Sequence, residues 1–283
     1  MKRALFALVL CLSAAGASAQ SPPTESVTVS AGKTREAVDA FVKSVTAPTR
    51  ITGKTARWET PICPYIVGVQ PNAIAHLTQR LKEVAAEVGA PFNDRKNCRP
   101  NLQVIFNQSP DTLMQDVKVK MPWVLGYYDN VEERDQMAAF DHPIKAWYRT
   151  ATRDVRGRLE VDRLETFRAR KHINGSRLND GLETQLYSVL LVANPDLLKD
   201  RMIETVSDAI AMLALAPSPA RDTCQNLPSV TDLLSKNCAH VPAGLTINDL
   251  GYLRGVYGAH AGLVSHLQKN EIANQMEKTL EGR

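Results

Sequence analysis

Apolar residues recur along this chain with the two spacings that helices and strands require. The spacing is helical over residues 71–88. The apolar face of this predicted helix consists of Ile74, Leu77, Leu81, Val84 and Val88. A shorter helix is predicted over residues 34–45, and an amphipathic helix is predicted at the C-terminus. The apolar side of that last helix consists of Leu263, Leu267, Ile272, Met276 and Leu280.

Shorter apolar runs lie between the predicted helices. They predict strands at residues 102–106, 146–152 and 186–193. A long helix is predicted to follow over residues 196–216. This succession predicts an α+β fold with a small mixed sheet, packed helices and a long C-terminal helix. The pattern leaves the order of the strands open.

The first 19 residues have the three parts of a secretory signal peptide. A charged start is followed by an apolar run over residues 4–12 and by the small residues Ala17-Ser18-Ala19. Cleavage is expected before Gln20. No lipid anchor is expected at Cys11, because Leu10 precedes it where a lipoprotein signal has a smaller residue. No later run of about 18 apolar residues predicts a membrane span, so the mature chain is expected to be periplasmic or secreted.

The mature chain divides into an N-terminal α/β region, residues 20–130, and a C-terminal α+β region, residues 131–283. The composition is that of an ordinary globular protein, without an internal repeat or a long linker. Removing 19 of the 283 residues leaves 264, a length that fits either one large domain or two. Whether the two regions are separate domains stays open.

Four cysteines remain after the predicted cleavage. An even number in an exported chain favours disulfides over a metal site or a reactive thiol. Because each pair is local and bounded by loop residues, we expect Cys63 to pair with Cys98 and Cys224 with Cys238. A zinc knuckle is the alternative, but the sequence contains no C-x-x-C.

The charge of the chain argues against a nucleic-acid partner. The sequence has 34 basic and 30 acidic residues, for a formal net charge of +4. Loss of Lys2 and Arg3 leaves 32 basic and 30 acidic residues, for a formal net charge of about +2. A nucleic-acid-binding protein is expected to carry a larger positive charge. Basic residues cluster over residues 145–177, where they alternate with acidic ones as on solvated strand faces. A surface for an anionic envelope polymer is the alternative interpretation.

Aromatic residues are concentrated in the middle of the chain, and two of them lie within the basic cluster. They are Trp58, Trp123, Tyr127, Tyr128, Trp147 and Tyr148. Such rings can stack on a sugar or a peptide, although aromatic residues near strands are more often part of the core. The candidate binding residues are Trp147, Tyr148 and Arg149. Their expected partner is an envelope peptide, a protein or an anionic polymer, and no cofactor is implied.

The C-terminal region contains a helix, a turn and a second, capped helix. The first helix ends with Leu213-Ala214-Leu215, the turn is Ser229-Val230-Thr231-Asp232, and the capped helix lies within residues 245–257. This succession resembles the second half of a matrixin-like metzincin domain, a zinc-peptidase fold. In that family three histidines bind zinc, and a glutamate beside the first acts as general base.

The resemblance places no histidine at the zinc-binding positions. Aligning the family's Leu-Gly-Leu with Leu213-Ala214-Leu215 puts Ser207, Ala211 and Pro217 at the three histidine positions and Asp208 at that of the glutamate. Alanine and proline side chains have no donor atom, so the resemblance implies a degenerate scaffold without a metal. The alternative is an ordinary buried helix followed by an unrelated capped helix.

A second resemblance rests on the pattern R-W-x-x-P-x-C-P, which spans residues 57–64. Secreted, uncharacterised proteobacterial proteins share this pattern. The resemblance implies an envelope protein and no known activity.

Other catalytic motifs are incomplete. Gly32-Lys33-Thr34 and Gly53-Lys54-Thr55 lack the earlier glycines of a phosphate loop, and the mature chain has no G-x-S-x-G elbow. Glu204 and Asp208 are four residues apart and could form an acid and base pair on one helix face. Such pairs are also common on solvated helix faces.

Two functions follow from these patterns. The preferred one is a non-catalytic binding or scaffolding protein of the envelope, built on a degenerate peptidase-like scaffold. The alternative is a hydrolase acting on an envelope peptide or polymer, in which Glu204 and Asp208 act with His240, His260 or His266.

Overall fold

The computed structural model describes residues 31–95, 97–163, 176–235 and 237–282. The predicted signal peptide lies outside these residues. The helices are α1 (Ala31–Val45), α2 (Pro71–Val88), α3 (Pro110–Lys120), α4 (Val131–Ala138), α5 (Pro195–Leu198), α6 (Ile203–Leu215), α7 (Ile247–Gly258) and α8 (Ser265–Leu280). The strands are β1 (Pro64–Val67), β2 (Leu102–Phe106), β3 (Ile144–Arg153), β4 (Leu159–Val161) and β5 (Glu183–Ala193). The predicted α+β class is confirmed.

The five strands form one mixed sheet in the order β1-β2-β5-β3-β4. β1, β2 and β5 run parallel, whereas β3 is antiparallel to both β5 and β4. β1 and β2 belong to the predicted N-terminal region and the other three strands to the C-terminal region. The two regions therefore contribute strands to the same sheet, and they meet where β2 pairs with β5.

One face of the sheet packs against the larger hydrophobic core. Side chains alternate between the faces of a strand, and those of Val104, Val189 and Leu191 point into this core. Helices α1, α2, α6, α7 and α8 also supply side chains to this core. Trp58 is buried there, and its indole N–H donates to the carbonyl oxygen of Ala214 at 2.7 Å. This hydrogen bond joins the segment before β1 to the end of α6.

The opposite face carries a smaller layer. Trp147 of β3 and Leu190 of β5 pack there with Val117 of α3. Helix α4 and the 3-10 helix Pro122–Leu125 complete the layer. Parts of β2, β3 and β5 remain uncovered on this side and border a cavity.

The bounds of α2 and β2 are those predicted, because both segments have strong local signals. Pro71 lies in the first turn of α2, where its missing N–H costs nothing. Gly89 ends the helix in the left-handed conformation, with φ of 79°. The predicted strands at residues 146–152 and 186–193 lie within the longer β3 and β5.

The single helix predicted over residues 196–216 is wrong. The chain forms the short helix α5 and then α6, with Met202 extended between them at ψ of 145°. The exposed residues Lys199, Asp200 and Arg201 precede this break. They offer no apolar side chain to the core, so burial does not hold them in a helix. Helices α3 and α4 and strands β1 and β4 were not predicted.

Both predicted disulfides are present. Cys63 pairs with Cys98 and Cys224 with Cys238, with Cα–Cα distances of 6.0 and 5.5 Å. The first bridge joins the residue before β1 to the loop before β2. Sequence separations of 35 and 14 residues correspond to stabilisation of about 4 and about 3 kcal/mol in the chain-entropy model.

Candidate ligand-binding groove

The ladder between β3 and β5 is interrupted beside Arg149. Arg149 pairs with Ser188, whereas the next residue, Thr150, pairs with Leu186. Tyr187 is therefore an extra residue on β5. Such a β-bulge bends its strand and changes the direction of the side chain. Here it brings Tyr187 next to Arg149.

The guanidinium group of Arg149 lies over the Tyr187 ring, 5.1 Å from the ring centroid. Partial burial lowers the pKa of Arg149 because it removes water from the charged group, and the positive charge of Arg163 lowers it further. Within the part of the chain that the structure describes, no carboxylate forms an ion pair or hydrogen bond with Arg149. Its donor groups are thus available to a bound anion.

Arg149 borders a first cavity of 480 Å³ between the uncovered sheet face and helix α3. This volume is within the range of small-molecule sites. The apolar lining includes Ile105, Leu113, Val117, Met121, Val124 and Leu190. Arg99 is the other charged residue of the lining, and no acidic residue belongs to it among those described. The cavity therefore combines an apolar interior with positive charge.

A second cavity of 370 Å³ adjoins the first, and both are lined by Trp123 and Arg149. The Trp123 side chain is 53 % exposed, in contrast to the buried Trp58 and Trp147. Tyr127, Tyr128 and Arg163 also line the second cavity. We call the two cavities together the Arg149 groove.

The acidic residues of the second cavity are already engaged. Asp129 pairs with Arg50 at 3.0 Å and accepts a hydrogen bond from the Tyr127 hydroxyl at 2.7 Å. Asp162 accepts hydrogen bonds from the hydroxyl groups of Thr150 and Thr152, at 2.6 and 2.8 Å. Neither carboxylate forms an ion pair or a hydrogen bond with Arg149, so they leave its charge uncompensated.

Gly126 allows the segment that carries the aromatic residues to lie against β3. Its φ is 92°, a value that favours glycine, and an added Cβ would lie 2.4 Å from the carbonyl oxygen of Tyr148. A larger residue would push the segment away from the strand. The shape of the second cavity therefore depends on this glycine.

Of the three predicted binding residues, only Arg149 lies in the groove. Trp147 is buried, and its indole N–H donates to the carbonyl oxygen of Met137 at 2.7 Å. The Tyr148 hydroxyl donates to the carbonyl oxygen of Leu213 at 3.0 Å, and burial raises its pKa. Both residues also border a smaller cavity of 160 Å³, which shares Tyr127 and Asp162 with the second cavity. Their contacts with the protein make them parts of the scaffold.

The two candidate catalytic carboxylates have different surroundings. Asp208 is buried, accepts from the Arg80 guanidinium at 2.5 Å and accepts from the Leu245 N–H at 2.7 Å. Glu204 is exposed in the first turn of α6. Among the described residues, none of the three histidines proposed as its partners, His240, His260 and His266, forms a hydrogen bond with Asp208. The contacts of Asp208 hold α2, α6 and the segment before α7 together.

The positions that align with zinc ligands lie in the core. Ala211 and Pro217 are buried, and the Ser207 hydroxyl donates to the carbonyl oxygen of Ile203 at 2.6 Å. Ile210 and Leu213 of the same helix are buried, as the apolar spacing predicts. Across the described ranges, no group of three His, Cys, Asp or Glu side chains is placed to hold a metal ion.

Comparison of the chain with protein-family models, with curated proteins and with solved structures finds no match.

Sequence reasoning missed Tyr187 and did not single out Trp123 and Arg163. Trp123 and Arg163 were visible only as members of the aromatic and basic clusters. Tyr187 had no signal, because its position depends on a bulge in the pairing of β5 with β3.

Proposed function

We propose that this protein is an exported, non-catalytic binding protein that holds an anionic ligand in the Arg149 groove. The observation that carries the proposal is the partly buried Arg149 guanidinium, which no described carboxylate neutralises. Withdrawing a charge from water costs free energy unless a partner compensates for it. A bound anion would supply that partner.

The geometry of arginine suits such a ligand. The Tyr187 ring covers one face of the guanidinium group. The N–H groups point outward in the guanidinium plane, so a carboxylate or phosphate can accept two of them at once. Trp123 and the apolar lining would bury the uncharged part of the ligand.

The location of the protein is part of the proposal. Two disulfides fit an oxidising compartment, and no helix in the described ranges is long and apolar enough to cross a membrane. The sequence of residues 1–19 supplies the export signal. We therefore propose a periplasmic or secreted protein.

We further propose that the C-terminal helices derive from a metzincin-like scaffold that has lost its zinc ligands. The packing of Ala211 and Pro217 in the core and the pairing of Asp208 with Arg80 support a structural role for this region. The hydrolase remains the second candidate. It requires Asp208 to leave Arg80 and act as a base.

Binding in the groove can be tested with two dyes that share a ring system. The dye 1-anilinonaphthalene-8-sulfonate carries a sulfonate, and N-phenyl-1-naphthylamine does not. We expect Arg149→Gln to weaken binding of the sulfonated dye by about tenfold or more, because a hydrogen-bonded charge contributes about 1.5–3 kcal/mol. Binding of the uncharged dye should stay the same. Fluorescence titration measures both.

Arg153→Gln is the matched control. Arg153 lies on the same strand, donates to the Gly157 carbonyl oxygen at 3.0 Å and does not line the groove. Its replacement should leave both dyes unaffected. Equal binding of the sulfonated dye to the unmodified protein and to Arg149→Gln would refute the proposed site.

A further inference from the structure

Aliphatic side chains are the most numerous in the lining of the first cavity. Besides the arginines, its side chains with hydrogen-bonding groups are Asn101, Gln103, Trp123, Tyr187 and Ser188. The backbone of β2 and β5 beneath it is paired in the ladder. A peptide backbone would leave most of its N–H and C=O groups unpaired there, at a cost in free energy. An alkyl chain would have no such groups.

The second cavity offers charge. Arg149 and Arg163 both line it, and the two positive charges are close enough for Arg163 to disfavour the charged form of Arg149. The carboxylates of Asp129 and Asp162 are held by other residues. An anion between the two arginines would relieve their repulsion.

We infer that the ligand of the Arg149 groove is a single-chain amphiphile with an anionic head group. Its alkyl chain lies in the first cavity against Ile105 and Leu190, and its head group binds Arg149 on the side of Arg163. The inference rests on the proposed function and specifies the class of ligand. Carboxylate and phosphate head groups share the chemistry that these arginines recognise.

Trp123 provides a direct test of where the chain lies. It borders both cavities and is the exposed one of three tryptophans, so an alkyl chain in the groove would contact its indole. We expect 9,10-dibromostearate to quench fluorescence more than stearate does, because bromine quenches an indole that it contacts. Trp123→Phe should remove this difference and should still bind the fatty acid, as measured by displacement of the sulfonated dye.

Chain length tests the apolar half of the site. Octanoate, decanoate and laurate should displace the sulfonated dye with affinity that rises by up to about fourfold for each added CH₂, the value expected for burial of one such group. Acetate and inorganic phosphate alone should displace little. Affinity that does not depend on chain length would overturn the inference.

Head-group chemistry tests the charged half. Laurate and dodecyl phosphate should both bind more tightly than dodecylammonium, and whichever anion binds more tightly identifies the head group. Arg163→Gln should weaken the binding of dodecyl phosphate several-fold more than the binding of laurate, because the phosphate group carries more charge than the carboxylate. Dodecylammonium binding more tightly than the two anions would contradict the inference of an anionic amphiphile. A short acidic peptide that displaces the sulfonated dye better than laurate does would also contradict it. If Arg149 still governed binding of the sulfonated dye, the proposed function would survive that result.

Discussion

Asp208 and Arg149 are both charged residues partly withdrawn from water, but their surroundings differ. Asp208 receives hydrogen bonds from Arg80 and from the Leu245 N–H. Gly244 packs so closely that a Cβ there would lie 2.5 Å from the Asp208 Oδ2 atom. Arg149 instead faces a cavity. A buried charge whose hydrogen bonds are made within the protein indicates a structural role. A charge that lines a cavity and lacks such partners indicates a binding role.

At this scale we expect Asp208→Asn to reduce the free energy of unfolding by about 1–2 kcal/mol, because it replaces a charged acceptor opposite Arg80 with a neutral amide. Arg80 is partly exposed, and solvent screening keeps the loss at the lower end of the range for buried pairs. Urea unfolding measures the change.

Glu204→Gln, on the exposed part of the same helix, is the control and should change stability by less than about 0.5 kcal/mol. Unchanged stability of Asp208→Asn, together with loss of a measurable hydrolysis, would favour the hydrolase instead.

At the scale of elements, the start of α7 is fixed by one buried carboxylate. Asp249 accepts from the backbone N–H groups of Thr246 and Val230, at 2.9 and 3.0 Å, and from the Ser229 hydroxyl at 2.5 Å. The Thr246 hydroxyl accepts in return from the Asp249 N–H and completes a capping box. These bonds join α7 to the 3-10 helix Val230–Leu234. Burial raises the pKa of Asp249.

We expect Asp249→Ala to cost about 2–3 kcal/mol at neutral pH, because it leaves buried donors without an acceptor. Asp249 binds its proton more tightly in the folded chain than in the unfolded one, so its contribution to stability falls as pH rises through the folded pKa. The cost of the variant should therefore be larger at acidic pH. Thr246→Ser, which keeps the capping hydroxyl, should behave like the unmodified chain. A cost that shrinks on acidification would show that the pKa is shifted in the opposite direction.

At the scale of the whole molecule, the pairing of β2 with β5 ties the two sequence regions together. Trp58 of the N-terminal region is buried in the larger core, which also contains α6 and α7 of the C-terminal region. Unfolding one region would expose the apolar surface of the other. The two regions are therefore expected to unfold together.

We expect far-ultraviolet circular dichroism and tryptophan fluorescence to report the same urea midpoint. Trp58 and Trp147 are buried in different cores, one on each face of the sheet, so fluorescence samples both layers. Trp123→Phe removes the exposed tryptophan and serves as a control for its signal. Two separate transitions would show that the layers unfold independently.

Several local elements of this fold were predictable from the sequence, because their signals lie within a few residues. The apolar spacing and flanking residues of α2 and β2 gave their bounds, and the local spacing of the cysteines gave both disulfides. The break between α5 and α6 was not predicted. The apolar spacing on either side suggested one continuous helix. Whether the polar residues between the two halves stay helical depends on their packing against the core, which the local sequence does not show.

The sequence by itself determined the α+β class, the two disulfides and the location of charge and aromatic residues in the middle of the chain. Only the tertiary structure decided the strand order and which of those residues border a cavity. Arg149 and Tyr187 are 38 positions apart, and a bulge between two strands brings them together. Helical and strand periodicity report the face on which a side chain lies. They do not report the contacts between distant segments. These contacts bury Trp147, partly bury Tyr148 and leave Arg149 at the groove.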